Sequence, residues 1–237
     1  MSDQKTIAIH QPNYFPWAGY FYKIAKSDIF VILDNVDFQQ GNHSSITNRT
    51  KVKCNGEEKF LTVPVKKNDQ SKLIKDIKID KQQNCFKKHA RTIQQNYAKA
   101  SHFKESFPMI EQLMMECSAF EMMAEANTHV IKTVSSWLNL NPSFVTASSL
   151  PIDVEDRNER IIKICNNLGS SIYLSGNGGR KYHDESLFAA SGITIKYTDF
   201  KVREYSQVGA SFIPGLSIAD MILNCGLIET KKLIIGE

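Results

Sequence analysis

Apolar residues recur along the chain in two rhythms. Short β-rich runs at TIAI (6–9), IFVILD (29–34), FVTAS (144–148), SIYLSG (171–176) and ITIKYTDF (193–200) read as strands. Helical spacing predicts helices over WAGYFYKIAKS (17–27), RNERIIKICNNLG (157–169), DESLFAASG (184–192) and LSIADMILNCG (216–226). Gly169 and Gly226 read as C-terminal caps and Ser217 as an N-cap. The first strand, helix and second strand fit the length of a βαβ unit, which predicts a parallel pair. FLTVPV (60–65) and IKDIKI (74–79) read as extended segments around the turn signal KKNDQS (66–71), with Pro64 placing the first at an edge or terminus. From about residue 82 to 140 the spacing is helical, punctuated by Pro108 and Ser118 and stopped by Asn141-Pro142. The expected fold is α/β. It is a single domain over 1–237, with a mixed or mostly parallel sheet, flanking helices and a helical subdomain at about 82–140.

Composition narrows the class. A chain of 237 residues with 42% hydrophobic and 23% charged residues is an ordinary soluble composition, long enough for a sizeable core. A net charge of +4 is too mild to argue for a nucleic-acid surface, yet it suits a small anionic substrate. MSDQKTIAIH lacks the charge-then-apolar order of a signal peptide, and no apolar run approaches membrane-spanning length. Five scattered cysteines form no CxxC pair and read as reduced thiols of a cytoplasmic protein. HExxH is absent as well, so no metal site is expected.

The candidate chemistry lies in three loops that follow predicted strands. They are HQPNYFPW (10–17), DNVDFQQGNHSSITNR (34–49) and SGNGGRKYH (175–183). In a parallel sheet such loops share one edge, where ligands bind, so all three are expected around a common cavity. His10 ends its strand, where an imidazole serves as base or phosphate donor. Pro12 and Pro16 stiffen the loop between them. Asn13 and Tyr14 offer hydrogen-bonding groups, Trp17 a flat face, and Gly19 an open approach to the helix start. The competing reading is a Pro-rich turn with aromatics in the core. Asp34 suits a metal, a ribose or an amine, or is simply a turn former. Arg49, Lys51 and Lys53 alternate and would share one strand face, either an anion clamp or a solvated edge. In the third loop Ser175, Gly176, Arg180 and Tyr182 suit a phosphate cradle, or a flexible connection.

These residues resemble the WbqC-like family of bacteria. The likeness is densest over IHQPNYFPWAGYFYKIAKSDIFVILDNVDF (9–38) and continues through Asn48-Arg49, FLTVPVKK (60–67), IKDIKID (74–80), YLSGNGGRKY (173–182) and FIPGLSIADMILNCG (212–226). HSSIT (43–47) stands where members often carry an aromatic before the Asn-Arg pair, with His43 as its candidate replacement. The resemblance implies a polysaccharide-modifying enzyme of O-antigen or other lipopolysaccharide biosynthesis. A glycyl or related acyl group would pass to a nucleotide- or lipid-linked amino sugar. His10 would be the base, with Asn13, Asn48 and Arg49 as donors or binders. Tyr14 and Trp17 would stack on sugar or base, and Arg180 with the glycine loop would take a phosphate. Lys23 is a further candidate on the helix side. The first unit is also similar to the HxGH nucleotidylyltransferases, with Asn13 where their second histidine stands. That alternative calls for a nucleoside triphosphate and Mg²⁺, perched at Asp34. A third alternative is a non-catalytic binding protein of a polysaccharide assembly complex. The donor stays open, as does a homo-oligomeric state.

Overall fold

The computed structural model describes residues 4–39, 46–66 and 72–236; His43 and most of the 66–71 turn signal lie outside them. The chain opens with β1 (Thr6–His10), α1 (Ala18–Ala25) and β2 (Ile29–Ile32). A hairpin of β3 (Arg49–Cys54) and β4 (Glu57–Thr62) follows. Three helices come next, α2 (Cys85–Tyr97), α3 (Phe103–Cys117) and α4 (Met123–Trp137). Then come β5 (Ser143–Thr146), α5 (Arg157–Asn167), β6 (Ile172–Ser175), α6 (Glu185–Ala190), β7 (Thr194–Tyr197) and α7 (Ile218–Ile235).

The five strands of the main sheet pair in parallel, in the order β5-β2-β1-β6-β7. The sequence leaves β1 toward β2 and β5, then returns to β6 and β7 on the other side. Strand order therefore reverses between β1 and β6, the switch point of a doubly wound sheet. Side chains alternate across this sheet. Ala8, Phe30, Ile32 and Leu174 enter the core shared with α1–α4 and α7, while Ile7, Ile9, Val31 and Tyr173 enter the core beneath α5 and α6. Both faces are covered, which is why the strands read as near-continuous apolar runs.

The structure refines the local reading at three places. IKDIKI is no extended segment throughout: Ile74–Asp76 forms a 3-10 turn, and Lys78 and Ile79 make only isolated bridges. The polar stretch at 55–56 is the hairpin turn, with Asn55 and Gly56 both at positive φ (52° and 84°). Gly226, at φ 73°, ψ 172°, does end the first stretch of the last helix, and a second helical stretch continues directly from it to Ile235. Ser217 does cap α7, its hydroxyl accepting from the Ala219 amide at 3.2 Å, and Gly169 follows α5 at φ 67°.

Candidate active site

A cleft of about 950 Å³ opens at the switch point, between the carboxyl ends of β1 and β6. Ile9, His10 and Gln11 form one wall, and Ser175 to Gly179 the other. Tyr20 and Lys23 of α1 lie on its helix side, Asn35 to Asp37 on its rim, and Arg157 and Arg160 of α5 across the opening.

Lys23 is buried in α1 and donates from Nζ to the Ile9 carbonyl at 2.9 Å. Burial lowers its pKa to about 7. His10 lies 3.1 Å through Nδ1 from the Gln11 carbonyl, which also accepts from the Tyr20 hydroxyl at 3.0 Å. A carbonyl only accepts, so Nδ1 bears the proton and Nε2 keeps its lone pair. Desolvation, with the Lys23 charge added, lowers the His10 pKa to about 3, and the ring is neutral at physiological pH.

The opposite wall holds a second imidazole. His183 Nε2 lies 2.9 Å from Ser175 Oγ, and its Nδ1 lies 3.4 Å from Asn158 Oδ1. The ring sits edge-on to Tyr173 (5.5 Å) and Phe188 (5.6 Å). Desolvation there lowers its pKa, with Arg157 and Lys23 adding to the effect. The Ser175 carbonyl accepts from the Thr198 amide at 2.9 Å, which pins the end of β6 to β7.

The sequence-predicted residues separate into groups. His10, Trp17, Gly19, Lys23, Ser175 and Gly176 meet at the cleft. Asn13 and Arg49 line a separate pocket of about 330 Å³, and Trp17 lines both. Tyr14 is not a stacking platform: its ring is buried beside Phe15 and Phe86, and its hydroxyl meets His89 Nδ1 at 3.1 Å. Phe15 at φ 41° turns the chain there. Gly19 does not leave space for a ligand, because a Cβ there would lie 2.4 Å from the Trp17 ring. Asp34 is buried, accepting from the Ser148 amide at 2.9 Å and the Ser148 hydroxyl at 2.6 Å. Asn48 donates to the Val63 carbonyl at 2.9 Å. Arg49 stacks on Phe60 at 4.3 Å, Lys51 pairs with Glu58 at 3.1 Å, and Lys53 is buried against the Ser211 carbonyl. The basic row of β3 is therefore dispersed among separate partners. Arg180 stacks on Tyr197 at 3.9 Å, and Tyr182 is exposed with Arg157 over its ring at 5.1 Å; neither lines the cleft.

Sequence reasoning passed over His183, Asn158, Tyr173, Arg157 and Arg160. His183 closes the quoted glycine loop, and a histidine eight residues beyond a strand-ending serine was the signal available. Arg157, Asn158 and Arg160 sit in a stretch legible only as a helix start, and nothing local announces that α5 faces the loop after β6. Among the described residues no cluster of His, Cys, Asp and Glu is suited to hold a metal ion, and no helix is long and apolar enough to cross a membrane.

The model of the WbqC-like protein family matches residues 11–232. A protein of Mycobacterium tuberculosis, described as uncharacterized, is 30% identical over 225 residues, which cover 94% of each chain. No solved structure matches the chain.

Proposed function

The chain belongs to the WbqC-like protein family, and from that membership and the cleft's chemistry we propose that it is a transferase of bacterial surface-polysaccharide synthesis. It moves a glycyl or related acyl group onto an amino sugar held on a nucleotide or lipid carrier. The observation that carries this reading is the His183–Ser175 contact of 2.9 Å on the cleft wall, across from His10. Acyl transfer needs a base for the attacking group's proton and positive partners for developing charge. His183 is neutral in its aromatic bed and supplies the base. This role passes to it from His10, whose hydrogen-bonded, strongly desolvated ring serves as an acceptor for a substrate hydroxyl or amine. Lys23, Arg157 and Arg160 line the same space and suit the carrier's phosphates, which guanidinium groups bind in bidentate fashion. The volume lies at the upper end of the range for small-molecule sites, enough for a nucleotide-linked sugar.

The test is incubation of the purified protein with nucleotide- and lipid-linked amino sugars and activated glycyl donors, read by mass spectrometry of the sugar. Acyl gain that falls at least ~100-fold in His183→Gln is expected for loss of a general base. Failure of every donor–acceptor pair, with no nucleotide sugar raising the melting temperature, would sink the reading.

Nucleotidyl transfer has one observation in its favour. His10 closes β1 beside the switch point, the place that the HxGH histidines hold in the enzymes the first unit resembles. Its candidate for Mg²⁺, Asp34, is engaged by Ser148 through both oxygens, and acyl transfer is the favoured reading.

A further inference from the structure

We propose that Ser175 is a covalent nucleophile that carries the acyl group between donor and acceptor, with His183 as its base and Asn158 as a positioning residue. The inference rests on the acyl-transfer reading and deepens it from direct to two-step transfer.

Hydrogen bonding fixes the direction of the proton. Asn158 Nδ2 donates to the Tyr182 carbonyl at 3.4 Å, which turns Oδ1 toward His183 Nδ1, also 3.4 Å away. That oxygen only accepts, so the imidazole proton resides on Nδ1. Nε2 then presents its lone pair to Ser175 Oγ at 2.9 Å. The Ser175 hydroxyl has three polar neighbours, Nε2 at 2.9 Å, the Gly176 carbonyl at 3.1 Å and the Tyr173 hydroxyl, and Nε2 is the strongest base among them. A nucleophile, a base in reach of it, and a third group orienting the base form the arrangement that activates serine and cysteine enzymes on unrelated folds.

The backbone packs closely on this pair: Ser175 is buried, 2% exposed, at the cleft wall, and His183 is half-buried. Ser175 is the last residue of β6, and the loop after it carries glycine at 176, 178 and 179. A Cβ on Gly179 would fall 2.3 Å from Ser175 Oγ and 2.6 Å from His183 Nε2, whereas one on Gly176 or Gly178 would meet nothing within 4 Å. Glycine at 179 is thus required by the pair itself.

The chemistry balances with a thioester or oxygen-ester donor. Oγ attacks the carbonyl carbon as Nε2 takes the hydroxyl proton. The tetrahedral adduct collapses, its bond to the donor sulfur or oxygen breaks, and the leaving group departs with that proton. The acceptor amine then attacks the acyl-serine and gives a proton to Nε2. The new amide forms as Oγ leaves and recovers the proton.

The probe is p-nitrophenyl acetate with the full-length protein, read by p-nitrophenol release and by peptide mass mapping. A stoichiometric burst and a single acetyl on the Ser175 peptide are expected, both lost in Ser175→Ala and slowed at least 100-fold in His183→Gln. Asn158→Ala is expected to displace the pH profile of acylation, which a purely structural residue would leave in place. Ser175→Cys keeps the geometry and is expected to react with iodoacetamide ahead of the five native thiols. Absence of an adduct on Ser175 in the folded wild-type protein overturns the proposal. So does undiminished acyl transfer to an amino sugar by Ser175→Ala, and the transferase reading then survives with direct attack. Acylation of Ser175 without transfer to any amino sugar has the opposite meaning: the nucleophile stands and the transferase reading falls.

Discussion

Lys23 holds its ammonium 2.9 Å from the Ile9 carbonyl, in a buried position at the end of β1. Burial opposes the charge and brings the pKa from 10.5 to about 7. Between these two values the unfolded chain binds a proton that the folded chain has released. Stability therefore rises with pH from about 7 to 10.5, and the penalty is fully present below 7. Its full size is several kcal/mol. Urea unfolding at about pH 7 and pH 10 is expected to show wild type gaining on Lys23→Met across the interval. A phosphate bound in the cleft favours the charged lysine, so anion affinity should weaken as pH climbs above 7 in wild type and stay level in the variant.

Two glycines in one loop separate space from geometry. An added Cβ at Gly179 collides with Ser175 Oγ and His183 Nε2, while one at Gly178 enters open space. Gly179→Ala is expected to retain its far-ultraviolet circular dichroism and lose most of its activity. Gly178→Ala should keep both, as measured by circular dichroism and by the acylation burst in parallel.

The sheet was legible because its strands are buried on both faces and leave apolar runs in the sequence. TIAI, IFVILD and SIYLSG became Thr6–His10, Ile29–Ile32 and Ile172–Ser175. The parallel pairing of β1 with β2 also followed from the short βαβ spacing. Half of the cleft was legible for the same reason: His10 and Ser175 end strands, and strand ends share an edge. Asn13 and Tyr14 are neighbours of His10 in the chain, yet the left-handed turn at Phe15 and the pull of the core take them elsewhere. Asn158 and Arg157 were invisible because their place depends on how α5 meets the loop after β6. That is a tertiary relation with no period in the sequence.

The Trp17 indole lies where a side chain on Gly19 would stand, 2.4 Å from the position of its Cβ. Gly19→Ala must therefore displace the ring of Trp17, a residue that lines both the main cleft and the smaller pocket. Overpacking of this kind costs about 1–3 kcal/mol. The expected outcome is a lower melting temperature with a shift in tryptophan emission. The same shift in Gly19→Ala should vanish when Trp17 is also replaced by Phe, leaving Trp137 as the sole emitter.

Asp34 joins the end of β2 to the turn after β5 through Ser148. Removing the carboxylate deletes two charge-assisted hydrogen bonds in a part-buried contact, a loss of about 1–3 kcal/mol. Asp34→Ala is expected to unfold at lower urea with nucleotide-sugar affinity retained at temperatures where it stays folded. A metal-binding role predicts the reverse, a Mg²⁺-dependent loss of affinity at unchanged stability. Calorimetry with and without Mg²⁺ decides between them.

Arg157 and Arg160 open α5 toward the cleft but are held differently. Arg160 donates to the Val154 carbonyl at 2.6 Å, which ties it to the chain before the helix. Arg157 is exposed and lies over the exposed Tyr182 ring at 5.1 Å, a contact that uses the guanidinium face. A charge-assisted hydrogen bond to a phosphate contributes about 1.5–3 kcal/mol. Arg157→Gln is therefore expected to weaken nucleotide-sugar binding by roughly 10- to 100-fold with little change in stability, whereas Arg160→Gln should lower both. Removing Arg157 also lifts part of the positive field on His183, so the base should titrate at higher pH in the variant. Titration calorimetry gives the affinity, and the pH profile of the acylation burst gives the shift. An Arg157→Gln protein with unchanged affinity would place the carrier's phosphates elsewhere in the cleft.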